Sequence, residues 1–133
     1  MAYIDANVFM YAIAKDSPHH EACMNLLDAV ARGNISATTS ALTWDEVAHG
    51  TNKLKGAITG QAAGKMILEM PRLKIIAVDR KTISLAQTIH EKANSYPRDS
   101  IHAACAILAG ESEIYSFDSD FDKVKELKRK EPK

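Results

Sequence analysis

Short apolar or β-branched runs recur along this chain, each separated from the next by a longer stretch in which apolar residues return at helical spacing. Ala2–Asp5, Ile35–Thr39, Leu73–Val78 and Ile114–Phe117 read as strands, with Leu127–Arg129 as a candidate fifth. Strands joined through helices make βαβ units, and βαβ units make a parallel sheet with helices packed on its faces. The carboxyl ends of parallel strands share one edge, so residues distant in sequence converge there.

The helical stretches carry their own punctuation. Ser17-Pro18 reads as a helix start followed by Ala22, Leu26, Leu27 and Val30, closed at Arg32-Gly33. Ser40 caps a helix carrying Leu42, Val47 and Leu54 and stopped by Gly56; the next runs from about Thr59 to Met70 and is cut by Pro71. Asp79 starts a helix that uses Ile83, Leu85, Ala86, Ile89 and Ala93 and breaks at Asn94–Pro97. Asp99–Leu108 is an Ala-rich, unusually apolar helix closed by Gly110, and the charge-rich tail Lys123–Lys133 reads as solvated.

A chain of 133 residues fits one domain spanning positions 1–133 and can bury roughly two thirds of its unfolded surface. With 46% apolar and 26% charged residues its composition is that of a soluble globular protein. Seventeen basic residues balance seventeen acidic ones, so no global positive field advertises nucleic acid. Cys23 and Cys105 lie far apart in apolar helical stretches, outside any Cys-x-x-Cys spacing, and read as buried reduced thiols. No leader sequence and no apolar run of about 20 residues is visible, so a cytoplasmic location with no membrane association is expected.

Four acidic signals stand where strands end or helices begin: Ile4-Asp5-Ala6-Asn7, Trp44-Asp45-Glu46-Val47, Arg98-Asp99-Ser100 and Phe117-Asp118-Ser119-Asp120. Each has an ordinary explanation. Asp5 suits an Asx turn, Thr43-x-x-Glu46 a capping box, Asp99 a helix mouth, and Asp118-Ser119-Asp120 a turn. Ser40 offers an alternative cap that leaves Glu46 nearly two turns inside its helix, and Ser100 can cap in place of Asp99. Four acids brought to one sheet edge repel one another and stay ionised only with a cation among them. Oxygen donors of this kind suit Mg²⁺ or Mn²⁺. The histidines offer no rival site: His19 and His20 are adjacent, His-Glu-x-x-His is absent, and His102 reads as a half-buried, hydrogen-bonded residue. Gly-x-Gly-x-x-Gly, a Walker lysine loop and Gly-x-Ser-x-Gly are missing too, which removes sequence support for nucleotide cofactors and serine hydrolysis.

Taken in order, Tyr3–Phe9, Glu46-Val47, Arg98–Ala104 and Tyr115–Asp122 resemble the PIN domain, most closely the VapC-type toxins of prokaryotic toxin–antitoxin pairs. The resemblance implies a three-layer α/β/α sandwich around a four- or five-stranded parallel sheet. It also implies a metal-dependent endoribonuclease, a homodimer, and a small antitoxin as partner. It puts the four acids at Asp5, Glu46, Asp99 and Asp118, the hydroxyl that precedes the last acid at Ser116, and Asn7 where it orders the first. Asp5 and Asp99 are expected to hold the first ion, with Glu46 and Asp118 completing the cluster. Asp120 crowds the fourth position, and Asp122 is the other rival there. Lys53 and Arg98 are candidate phosphate contacts, and Ile58, Met66, Ile67, Leu68 and Met70 candidate dimer residues. The rival reading is a non-catalytic PIN-like interaction module whose acids serve only as caps and turns.

Overall fold

A computed structural model describes all residues, 1–133. Five parallel strands, β1 (Ala2–Ile4), β2 (Ala37–Ser40), β3 (Leu73–Ile76), β4 (Glu113–Tyr115) and β5 (Lys128–Lys130), lie in the order β3-β2-β1-β4-β5. The chain builds outward from β1 to β3, then returns to the other side of β1 for β4 and β5. The strand order therefore reverses between β1 and β4, which opens a crevice at their carboxyl ends.

Side-chain alternation along the central strands makes two cores. Ile4 faces one core with α1 (Ala6–Ile13), α2 (His20–Ala31), α3 (Ala41–Lys55) and α4 (Ala57–Glu69). Tyr3 and Ile114 face the other, with α5 (Arg80–Ala93) and α6 (Pro97–Leu108). The five-stranded α/β/α sandwich is thus in place.

Several boundaries differ from the sequence reading, each for a local reason. Asp5 is not the last residue of β1 but the cap of α1, its carboxylate accepting from the Ala6 N–H at 2.7 Å. The two-turn helix α1 has no counterpart in the sequence reading, which assigns Ala6–Ile13 to no element. Ser17-Pro18 forms a turn before α2: Ser17 Oγ accepts from the His19 N–H at 3.1 Å, and the helix begins at His20. Ser40 stands at the start of α3 without capping it, because its hydroxyl is engaged with Tyr3. Thr43 caps nothing either; it is buried and receives the Thr39 hydroxyl at 2.8 Å. Asp79 does cap α5, accepting from both the N–H and the hydroxyl of Thr82 at 3.0 Å. Leu54, at 76% exposure, lies outside the core. The tail is not simply solvated. Val124, Leu127 and Pro132 are buried and β5 extends the sheet, with Lys130 Nζ paired to Glu113 at 2.8 Å.

Helices α3 and α4 pack closely through glycine. A Cβ on Gly60 would lie 2.7 Å from the Cβ of Asn52 and 2.9 Å from its Cα, so the two backbones meet where no larger side chain fits.

Candidate metal centre

The crevice between β1 and β4 collects acids from four segments. Asp5, 6% exposed, follows β1 directly; its Oδ2 receives the Ser116 hydroxyl at 2.7 Å. Ser116, fully buried just past β4, also accepts from Asn7 Nδ2 at 3.2 Å and from the Asp118 N–H at 2.9 Å. One hydroxyl thus ties the β1–α1 junction to the loop after β4. Asn7 Oδ1 is buried and unpartnered at the same place.

Asp118 caps a short 3-10 turn, Ser119–Lys123, accepting from the Asp120 N–H at 2.9 Å. Asp120 is buried and committed elsewhere: its carboxylate accepts from the Tyr96 N–H at 3.2 Å and pairs with Lys123 at 2.6 Å. Burial opposes its charge, but Lys123 and the Tyr96 N–H outweigh that, and its carboxyl lies below the usual range. Asp122 points away to Arg129, 3.0 Å from Nε. Among the three acids of this loop, Asp118 is thus the one whose neighbours leave it uncompensated by a basic side chain.

Asp99, in the first turn of α6, faces this group. Burial, then the charge of Asp118, a hydrogen bond to Asp120 and the charge of Asp5 push its carboxyl up to about 7. Asp120, the other member of this close pair, is shifted the opposite way. Crowded carboxylates raise one another's pKa in this way when no cation neutralises them.

Glu46, on α3, approaches from the opposite side through His102, the residue that sequence reasoning underrated. His102 is not half-buried; it is 1% exposed, with Nε2 at 2.5 Å from Glu46 Oε1 and 3.5 Å from Asp5 Oδ1. Its Nδ1 meets the Tyr3 hydroxyl at 2.7 Å, and Tyr3 donates to Ser40 Oγ at 2.8 Å. Two carboxylate acceptors at Nε2 favour a proton on that nitrogen. Burial alone would depress its titration, but Glu46 and Asp5 outweigh burial and raise it. Burial likewise raises Asp5, against His102, Ser116 and the Ala6 N–H. The available signal was positional: Asp99 and His102 are three apart on one face of α6.

Ligand atoms of Asp5, Glu46 and His102 lie within 4.8 Å of one another, enough to hold an ion. The donor set suits a hard divalent cation: carboxylate oxygens, with no basic side chain paired to Asp99 or Asp118. Lys53 and Arg98, the candidate phosphate contacts, are both exposed on the surface.

The model of the PIN domain matches residues 2–127. This chain belongs to the PIN domain family. Among curated relatives, ribonuclease VapC23 of Mycobacterium tuberculosis is 26% identical over 119 residues, covering 89% of this chain and 93% of its own. Among solved structures, VapBC2 from Rickettsia felis bound to a promoter DNA fragment covers 100% of both chains at TM-score 0.75 and 23% identity. VapC20 of M. tuberculosis, titled a sarcin–ricin loop cleaving toxin, aligns at TM-score 0.78 and 15% identity over 94% of this chain and 95% of its own. The fold of this PIN domain is therefore that of the toxins, and its acids lie at the sheet edge where that fold gathers residues from separate segments.

Proposed function

We propose that this PIN domain is a Mg²⁺- or Mn²⁺-dependent endoribonuclease and the toxin of a toxin–antitoxin pair. The observation that carries the reading is the convergence of Asp5, Asp99 and Asp118 at the strand-order reversal, crowded enough to hold Asp99 up at about 7. A caps-and-turns role explains each acid alone but not why they crowd together with so little basic compensation.

Asp5 and Asp99 would hold the ion, with Asp118 and Glu46 completing its surroundings. When bound, such an ion supplies an activated water and neutralises charge on the phosphoryl oxygens. The protein's own part is positioning. Ser116 fixes Asp5 Oδ2 and the Asp118 backbone together. His102 fixes Glu46 against Asp5, and Tyr3 and Ser40 fix His102. Asn7 braces Ser116. Asp99, whose carboxyl is raised beside Asp118 and Asp120, would become a ligand on losing its proton. Exposed Lys53 and Arg98 would meet RNA phosphates.

The named relatives also support the assignment of the partner. Two of the likenesses are to a ribonuclease and a toxin of the VapC type, and a third is a toxin–antitoxin pair on DNA. An antitoxin, a homodimeric assembly and a cytoplasmic location follow from the same reading; no helix is long and apolar enough to cross a membrane. Of the candidate dimer residues, Ile58 and Leu68 are exposed, at 84% and 64%, whereas Ile67 is core. Met66 and Met70 pack partly against that core. The dimer surface is therefore narrower than the sequence suggested.

A circular RNA substrate tests the activity directly, since it has no ends for an exonuclease. Incubation with Mg²⁺ or Mn²⁺ is expected to linearise it; circles left intact across a range of sequences contradict the reading.

A further inference from the structure

One lysine reaches into the group of acids. Lys123, the last residue of the 3-10 turn that Asp118 caps, places its Nζ 2.6 Å from Asp120 Oδ1. The same Asp120 carboxylate is hydrogen-bonded to Asp99, so a single buried group separates the ammonium from an acid expected to hold the ion. The ammonium itself is not enclosed. The Lys123 side chain is 49% exposed, against 7% for that of Asp120. An ammonium has three N–H donors; the pair with Asp120 engages one and leaves the others open to a ligand.

The other bases near this edge are committed elsewhere. Arg129 is held by Asp122 and Glu131, and His102 serves Asp5 and Glu46 from within the core. The hydrogen bond to Asp120, outweighing desolvation and aided by the charges of Asp120 and Asp118, raises the Lys123 titration above the ordinary lysine range. Lys123 is therefore a fixed positive charge. Where two ions cleave a phosphodiester, they clamp the attacking and leaving oxygens between them. Here Asp120, the acid placed to help hold a second ion, is already taken by an ammonium. Neutralising Asp120 explains the contact alone. It does not explain why the charge is brought to the acids with half its side chain still open.

We propose that Lys123 is a catalytic residue standing in for a second metal ion, its ammonium donating to an oxygen of the phosphate being cleaved. This rests on the nuclease reading and deepens it: one ion per chain, with a lysine as the second positive charge. In the hydrolysis the oxygen of one water bonds phosphorus, the bond from phosphorus to one ribose oxygen breaks, and the water's proton passes to that oxygen. Lys123 stays protonated throughout. It stabilises the negative charge that builds on the phosphoryl oxygens, and Asp120 aims it.

The test uses the full chain as wild type, Lys123→Met and Lys123→Arg, with Mn²⁺ and one RNA substrate. Titration with Mn²⁺ followed by electron paramagnetic resonance is expected to count a single bound ion in wild type. In Lys123→Met the ion should bind at least as tightly, because a positive charge has left the acids. Cleavage by Lys123→Met should nevertheless fall roughly 100-fold in kcat, as for the loss of one donor at a developing charge. Lys123→Arg keeps the charge and should recover to within about tenfold of wild type. Two ions bound by wild type, or Lys123→Met cleaving within about threefold of it, overturns the role of Lys123 and leaves the nuclease reading standing. Loss of Mn²⁺ binding together with cleavage in Lys123→Met overturns it too, since the residue then only props the site. A wild-type chain that binds Mn²⁺ and cleaves no RNA overturns the nuclease reading, and the catalytic lysine with it.

Discussion

At the scale of single residues, the chemistry is set by which carboxylates have a basic side chain beside them. Asp120 has Lys123 and Asp122 has Arg129, while Asp99 and Asp118 have none. Asp99 consequently stores electrostatic strain in the metal-free protein. Its folded pKa of about 7 exceeds the unfolded value of about 4. Between those values the native state holds a proton that the unfolded chain has released, so this residue's contribution to stability falls as pH rises through the window. Without metal, Asp99→Asn is expected to melt higher than wild type at pH 8 and close to it at pH 4; thermal melts in EDTA at both pH values check this. For the fourth acid, Asp118→Asn should impair cleavage with little change in melting, since Asn can still cap the 3-10 turn. Asp122→Asn should cost a few tenths of a kcal/mol through its exposed pair with Arg129 and leave cleavage intact. A dead Asp122→Asn beside an active Asp118→Asn would reverse the assignment. His102 shows what composition conceals. A histidine in an Ala-rich helix looks like filler, and only its register with Asp99 and the strand position of Tyr3 reveal it as the link between Glu46 and Asp5.

At the scale of elements, what was legible in the sequence depended on whether an element announces itself locally. The helix α5 does, with Asp79 capping it and Asn94 ending it in the left-handed region. The apolar β3 does as well. The helix α1 does not, because its cap, Asp5, reads equally as the end of the strand before it, and its eight residues derive their helicity largely from packing Val8 and Phe9 into the core. The strand β5, read from the sequence as Leu127–Arg129, is Lys-Arg-Lys at Lys128–Lys130, where pairing with β4 sets its register. Helix packing carries its own test. Gly60→Ala would force α4 away from Asn52 on α3, and overpacking of this kind costs about 1–3 kcal/mol. Chemical denaturation should register that loss. The buried relay from Ser40 through Tyr3 to His102 carries another. Tyr3→Phe leaves His102 Nδ1 and the Ser40 hydroxyl without their shared partner, at a cost of about 1–3 kcal/mol. It should also loosen Glu46, lowering cleavage; kinetics and denaturation on one preparation separate the two effects.

For the molecule as a whole, the strand order was the least legible feature and the most consequential. Nothing in the sequence of β4 says that it returns beside β1, yet that return brings Asp118 and Ser116 to Asp5. Each acid could be recognised from its place at the end of an element, but their meeting belongs to the topology. Because metal binding demands ionised ligands, it is coupled to folding and to pH. Millimolar Mn²⁺ should raise the melting temperature, and by more at pH 8 than at pH 5.5, where Asp99 must first lose its proton. The activity expected of these acids is RNA cleavage by a divalent ion held among them. Its most direct test compares the wild-type chain with Asp99→Asn on one RNA substrate, each with Mn²⁺ and with EDTA. Internal cleavage by wild type in Mn²⁺ only, lost in Asp99→Asn, is the predicted result; cleavage that survives EDTA or the substitution, or its absence from wild type in Mn²⁺, would contradict the claim.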